Sequence, residues 1–192
     1  MARPTIVRGS HITNVVNGRR SYKPIRNFIR YLTLGRLAEQ SDQRQQVRGV
    51  WLDQTGRSRS QQQVEQWAKQ KVHQLQYDHA YQLLLSTGKG GLSSADFNTA
   101  LQAGSAISRV YEWHLMSHTD TDNQHAHAIL FRREPLTKQT YLAWQQTMQQ
   151  TLDKRQMQRL LDQEQSREQG IQQSQSAEVN APQLKRGWGI EL

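Results

Sequence analysis

The sequence predicts an α+β fold, a mainly antiparallel central sheet with flanking helices, and three observations predict it. A short apolar run at residues 81–87 ends in Gly88-Lys89-Gly90-Gly91, the length and terminator of a buried strand. Two further strand-length segments, residues 111–117 and 125–131, flank a short polar turn and read as a hairpin. Segments with helical spacing alternate with these runs, the arrangement expected when helices cover a sheet.

The first 22 residues carry Arg3, Arg8, Arg19 and Arg20 around an apolar stretch at 12–16 and end near the turn-forming Asn17-Gly18. They form a basic opening segment that has room for a strand. From Pro24, the spacing of Ile25, Phe28, Ile29 and Leu32 predicts a helix. Proline suits its first turn and Gly35 its end. Residues 36–60 read as polar connecting chain, broken by Val47, Val50, Trp51 and Leu52 and by the loop Gln54-Thr55-Gly56. Ser60 then caps a second helix with Val64, Trp67, Ala68, Val72 and Leu75 on one face.

After the strand at 81–87, Ser93 or Ser94 caps a third helix that turns Phe97, Leu101 and Ile107 to the sheet. Beyond the hairpin and Pro135, Thr137 caps a long helix with Tyr141, Trp144, Met148 and Leu152 at helical spacing. From Gln156 the chain is dominated by Gln, Arg, Glu and Ser, so a helical and then disordered end is expected. The terminal stretch Lys185-Arg186-Gly187-Trp188-Gly189-Ile190 reads equally as a docked or an exposed peptide. The organisation expected is one domain over residues 1–155 and a polar Gln-rich segment over 156–192.

With 25 Lys+Arg against 16 Asp+Glu, the 192-residue chain has a formal net charge of +9, which favours a polyanionic partner. Nucleic acid is the first candidate and an anionic membrane surface the second. No apolar run approaches the roughly 18 residues of a membrane span, and the first residues lack the apolar core of a signal peptide. A cytoplasmic protein is therefore expected. The absence of cysteine excludes disulfides, thiolate metal sites and a cysteine nucleophile.

Nitrogen and oxygen ligands are present. The segment His118-Thr119-Asp120-Thr121-Asp122-Asn123-Gln124-His125-Ala126-His127 holds three of the seven histidines. On a strand, His125 and His127 point to the same side, and His118 at the end of the preceding strand supplies a third nitrogen. Asp120 or Asp122 can orient them. Three neutral imidazoles with open positions suit a catalytic ion better than a structural one. On a basic protein that suggests phosphodiester chemistry, with either water or a protein hydroxyl as nucleophile. Tyr31, in Arg30-Tyr31-Leu32-Thr33, is offset from the apolar helix face, with Arg30 and Arg36 nearby.

Three motifs over residues 19–132, in this order, resemble those of the MobP class of plasmid and T-DNA conjugative relaxases, within the HUH endonuclease superfamily. Arg30-Tyr31-Leu32-Thr33 is similar to the motif that carries the nucleophilic tyrosine. Leu83-Leu84-Leu85-Ser86 is similar to the strand whose serine contacts DNA beside the scissile bond. The span from His118 to His127 is similar to the metal motif. One departure is visible: the family often has Asn after a stretch such as Ala128-Ile129-Leu130, where this chain has Phe131 and Arg132.

The resemblance implies a relaxase-like sheet fold and a site- and strand-specific activity at a plasmid transfer origin. His118, His125 and His127 would hold Mg2+ or Mn2+ against the scissile phosphate of single-stranded DNA. Tyr31 would attack, forming a covalent 5'-phosphotyrosine intermediate for conjugative mobilisation. Asp120 would orient a histidine or assist deprotonation of Tyr31, and Ser86 would position a phosphate. Tyr22, between cations and before Lys23-Pro24, is the alternative nucleophile. Arg19, Arg20, Arg30, Lys89, Arg132 and Arg133 are the candidate DNA contacts. Trp51 and Trp113 are available for stacking. Expected partners are a transfer-origin hairpin and accessory relaxosome proteins, with the chain itself a monomer. The rivals are a rolling-circle replication initiator or transposase of the HUH type, with Tyr141 as nucleophile, and a non-catalytic single-stranded DNA-binding module.

Overall fold

A computed structural model of the chain describes residues 5–35, 49–87, 91–118 and 124–179, with side chains described as far as residue 169. The predicted α+β architecture is present. Six antiparallel strands form the sheet in the order β1(Ile6–Thr13), β6(His79–Ser86), β8(His125–Arg132), β7(Trp113–His118), β4(Trp51–Asp53), β5(Ser58–Arg59). The hairpin of β7 and β8 pairs Trp113 with Leu130 and His118 with His125.

Alternation sorts the strand residues onto two packed faces. On one, Leu83, Leu85, Leu115, Ala128 and Leu130 pack with Phe97 and Leu101 of α3(Ser94–Ser108) and with Trp144, Met148 and Leu152 of α4(Lys138–Val179). On the other, Ala80, Met116, Ile129 and Phe131 pack with Ile25, Ile29 and Leu32 of α1(Lys23–Leu34) and with Val64, Ala68 and Val72 of α2(Gln61–His73). Ser60 and Ser93 close capping boxes at the starts of α2 and α3. The α3–α4 contact is tight enough that a Cβ at Gly104 would overlap the Trp144 indole. No helix among the described residues is long and apolar enough to cross a membrane.

The opening segment gains detail and three expectations change. The basic opening segment does contain a strand: β1 runs from Ile6 to Thr13, and the buried Asn14 ends it by bonding the Tyr77 and Asp78 carbonyls. Val15–Val16 (β2) and Arg19–Arg20 (β3) form a separate hairpin, turned by Asn17 and Gly18 with φ of 51° and 73°. Part of the segment read as connecting chain is the β4–β5 hairpin, tied by the Asp53 carboxylate. It accepts bonds from the Thr55 and Arg57 amides, the Thr55 hydroxyl and the Arg59 guanidinium. Leu75 lies beyond the end of α2 and is exposed, as is Tyr111, since β7 starts at Trp113.

α4 runs unbroken through residue 156. Gln156 is buried and Arg159 pairs with Asp96 of α3 at 2.8 Å. The peptide Lys185-Arg186-Gly187-Trp188-Gly189-Ile190 lies outside the described residues.

Candidate metal centre

Register brings the histidines together. His118 ends β7 and His125 begins β8, directly opposite it; His127, two residues on, falls on the same face. The three rings form a compact triangle with centroid separations of 5.1, 5.4 and 5.4 Å. One ring nitrogen from each lies within 4.8 Å of the other two. At bond lengths of roughly 2.1 Å, ligands on one ion sit about 3 to 4 Å apart, so small ring rotations complete the set. His118 is buried; His125 and His127 are half-buried, leaving an open side.

Ser86, the last residue of β6, is the direct cross-strand partner of His125. Such pairs share a face with Cβ atoms about 5 Å apart, so its side chain leaves the sheet on the same face as that of His125. The face is walled by α1. Phe28 sets its ring edge-on to His127 at 6.1 Å, and Tyr31, one turn further on and 41% exposed, lies on the same flank of the helix. Arg30 is exposed about 100° away around the helix.

Tyr22 is placed differently. It is the N-cap residue of α1, about 13 Å along the helix axis from Tyr31. It packs against the α1–α2 core, and its buried hydroxyl has no hydrogen-bond partner among the described residues. Burial, and then the Glu65 carboxylate, push its pKa up to about 12. A phenol so disfavoured as an anion is a poor nucleophile.

The candidate DNA contacts divide. Arg132 and Arg133 lie at the far end of β8, about 23 Å along the strand from His125. Arg20 is also at that end, paired with Asp78 at 2.9 Å, and Arg19 accompanies it in β3. Trp51 and Trp113 are both buried, so neither is available for stacking; their indoles donate to Thr33 and Asn98. Asp120, Asp122 and Lys89 lie outside the described residues.

One feature next to the histidines escaped sequence reading. A pocket of about 220 Å³ borders His127 and Phe28, floored by Leu84 and Gln82 and edged by Arg8 and Ser10 of β1. Arg8 stands opposite Leu84, which stands opposite His127. The alternation Ile6, Arg8, Ser10 is the signal that could have found it, but one apolar residue in three makes a weak strand pattern.

Comparison of the chain with protein-family models, with curated proteins and with solved structures finds no match.

Proposed function

We propose that this protein is a site- and strand-specific DNA relaxase that cleaves single-stranded DNA through a covalent 5'-phosphotyrosine, as conjugative mobilisation at a plasmid transfer origin requires. One observation carries the reading. An exposed tyrosine, Tyr31, stands one helical turn along α1 from Phe28, whose ring lies edge-on to His127 of the His118–His125–His127 triangle. The motif order in the sequence and the net charge of +9 support it.

In this reading His118, His125 and His127 hold a divalent ion, which when bound supplies positive charge to the scissile phosphate and to the charge developing in the transition state. The ion is proposed as Mg2+ or Mn2+; Mg2+ is the harder of the two to hold on imidazoles alone, because it dehydrates reluctantly and prefers oxygen ligands. The Tyr31 oxygen attacks phosphorus as its proton leaves, with Asp120 as the proposed acceptor. The phosphorus bond to the 3' oxygen breaks, the 3' hydroxyl departs, and the 5' phosphate remains on Tyr31. One phosphodiester replaces another, so the reverse reaction can rejoin the strand. Ser86 donates to a phosphate oxygen. Arg8 offers a further positive charge beside His127.

The HUH replication-initiator or transposase alternative needs a tyrosine after the metal motif. Tyr141 packs with the α3–α4 core on the other face of the sheet, its hydroxyl directed to the Gly9 carbonyl at 3.4 Å. That position favours Tyr31. The test is incubation of the protein with Mn2+ and labelled single strands from candidate origin regions. A denaturant-stable adduct lost in Tyr31→Phe supports the proposal. Binding without cleavage or adduct on any cognate strand supports the non-catalytic module instead.

A further inference from the structure

The end of the sheet remote from the histidines carries a pocket of about 380 Å³. It forms where the end of α2, the turn after α3 and the end of β8 converge, and Lys71, Tyr77, Arg109, Tyr111, Arg132 and Arg133 line it. Lys71 is only 8% exposed. A buried ammonium must be compensated. Lys71 has the Tyr77 ring face, 5.1 Å from its nitrogen, and the Glu112 carboxylate. Glu112, however, is about half in solvent (52% side-chain exposure), so its carboxylate can move into water when another anion takes its place on Lys71.

The other cations keep their charge available. Arg132 donates to the backbone carbonyls of Ser108 and Glu134, which are neutral acceptors. Arg133 lies over the Tyr77 ring at 5.6 Å. Among the described residues none of Arg109, Arg132 and Arg133 has a carboxylate within ion-pair distance. Among the described residues that line the pocket, the carboxylates are those of Glu112 and Glu134. Tyr111, just before β7, is 65% exposed at the rim. Clustered cations beside an exposed aromatic ring are the combination that holds single strands, phosphate on charge and base on ring.

We propose that this pocket is a second contact for single-stranded DNA, in which a backbone phosphate displaces Glu112 from Lys71 and joins Arg132 and Arg133 while the neighbouring base stacks on Tyr111. It rests on the reading of the chain as an enzyme of single-stranded DNA. The strand is thereby anchored about 23 Å from the histidines, several nucleotides from the scissile bond.

The experiment measures fluorescence anisotropy of a labelled oligothymidine of about 30 nucleotides, long enough to span both sites, with chelator present and over a salt series. Wild type is compared with Arg133→Ala, Tyr111→Ala and Glu112→Gln, the first two changing exposed side chains outside the core. Expected is a loss of affinity of about tenfold for Tyr111→Ala and a salt slope about 0.7 shallower for Arg133→Ala. Glu112→Gln should bind more tightly, since the competing carboxylate is gone. Equal affinity in all four proteins, weaker binding by Glu112→Gln, or equal competition by an acidic polypeptide would overturn the proposal. Adduct formation with Mn2+ at saturating DNA separates the two readings. An adduct with unchanged affinities removes the anchor and leaves the chemistry, whereas altered affinities without any adduct leave the anchor and remove the chemistry.

Discussion

Acidification should loosen this fold at His114 before it reaches the carboxylates. His114 sits in β7 on the α1–α2 side of the sheet, its ring 4.2 Å from that of Trp67 on α2 and its Nδ1 buried without a hydrogen-bond partner among the described residues. Burial, the largest influence, holds its pKa down at about 4 against an ordinary 6.5, although the Asp53 carboxylate pulls the other way. The unfolded chain therefore binds this proton more readily than the folded one. The stabilisation is complete above about pH 6.5 and is lost as the pH falls toward 4. At about 1.4 kcal/mol per pKa unit, the loss attributable to His114 is about 3 kcal/mol at most. His114→Phe keeps an aromatic ring against Trp67 and removes the titration. Urea unfolding of both proteins between about pH 7.5 and 4 checks this, because extra volume in the variant adds a pH-independent offset that cancels from the slope. Asp53, Asp96 and Glu112, all with lowered pKa values, lose their contributions at lower pH in both proteins, and His11 titrates in both. Parallel stability curves for the two proteins would show that His114 carries none of the loss.

Mn2+ should raise the melting temperature of the wild type and leave that of a His125→Ala, His127→Ala double variant unmoved, as read by a thermal shift series. Gly104→Ala should destabilise the fold by about 1 to 3 kcal/mol in a denaturant melt, because the new methyl overlaps Trp144. Tyr22→Phe should keep adduct formation with single-stranded DNA in a denaturing gel, since its hydroxyl is enclosed in the α1–α2 core about 13 Å along the helix from Tyr31.

What sequence reading recovers here is whatever short-range chemistry dictates. α1 follows from the spacing of Ile25, Ile29 and Leu32 behind Pro24, and the starts of α2 and α3 follow from Ser60 and Ser93. The shared face of His125 and His127 follows from the two-residue period of a strand. What escapes it depends on partners distant in sequence. β1 is an edge strand with one face largely uncovered, so its residues need not alternate cleanly. The β4–β5 hairpin is organised by hydrogen bonds to Asp53, which hydrophobic periodicity does not register. That Ser86 stands beside His125, and that Arg132 and Arg133 stand far from it, is a matter of strand register and direction. The choice between Tyr31 and Tyr22 likewise turns on burial: both are helix-associated tyrosines beside cations, and only packing separates an exposed hydroxyl from an enclosed one.

In the proposed reaction Tyr31 is the residue that takes the 5' phosphate. Mass spectrometry of the peptide left joined to DNA, after reaction with Mn2+ and an origin strand and after proteolysis, tests it most directly. A nucleotide adduct is expected on the peptide containing Tyr31, absent in Tyr31→Phe. An adduct mapped to Tyr22 or Tyr141, or one that persists in Tyr31→Phe, would contradict it.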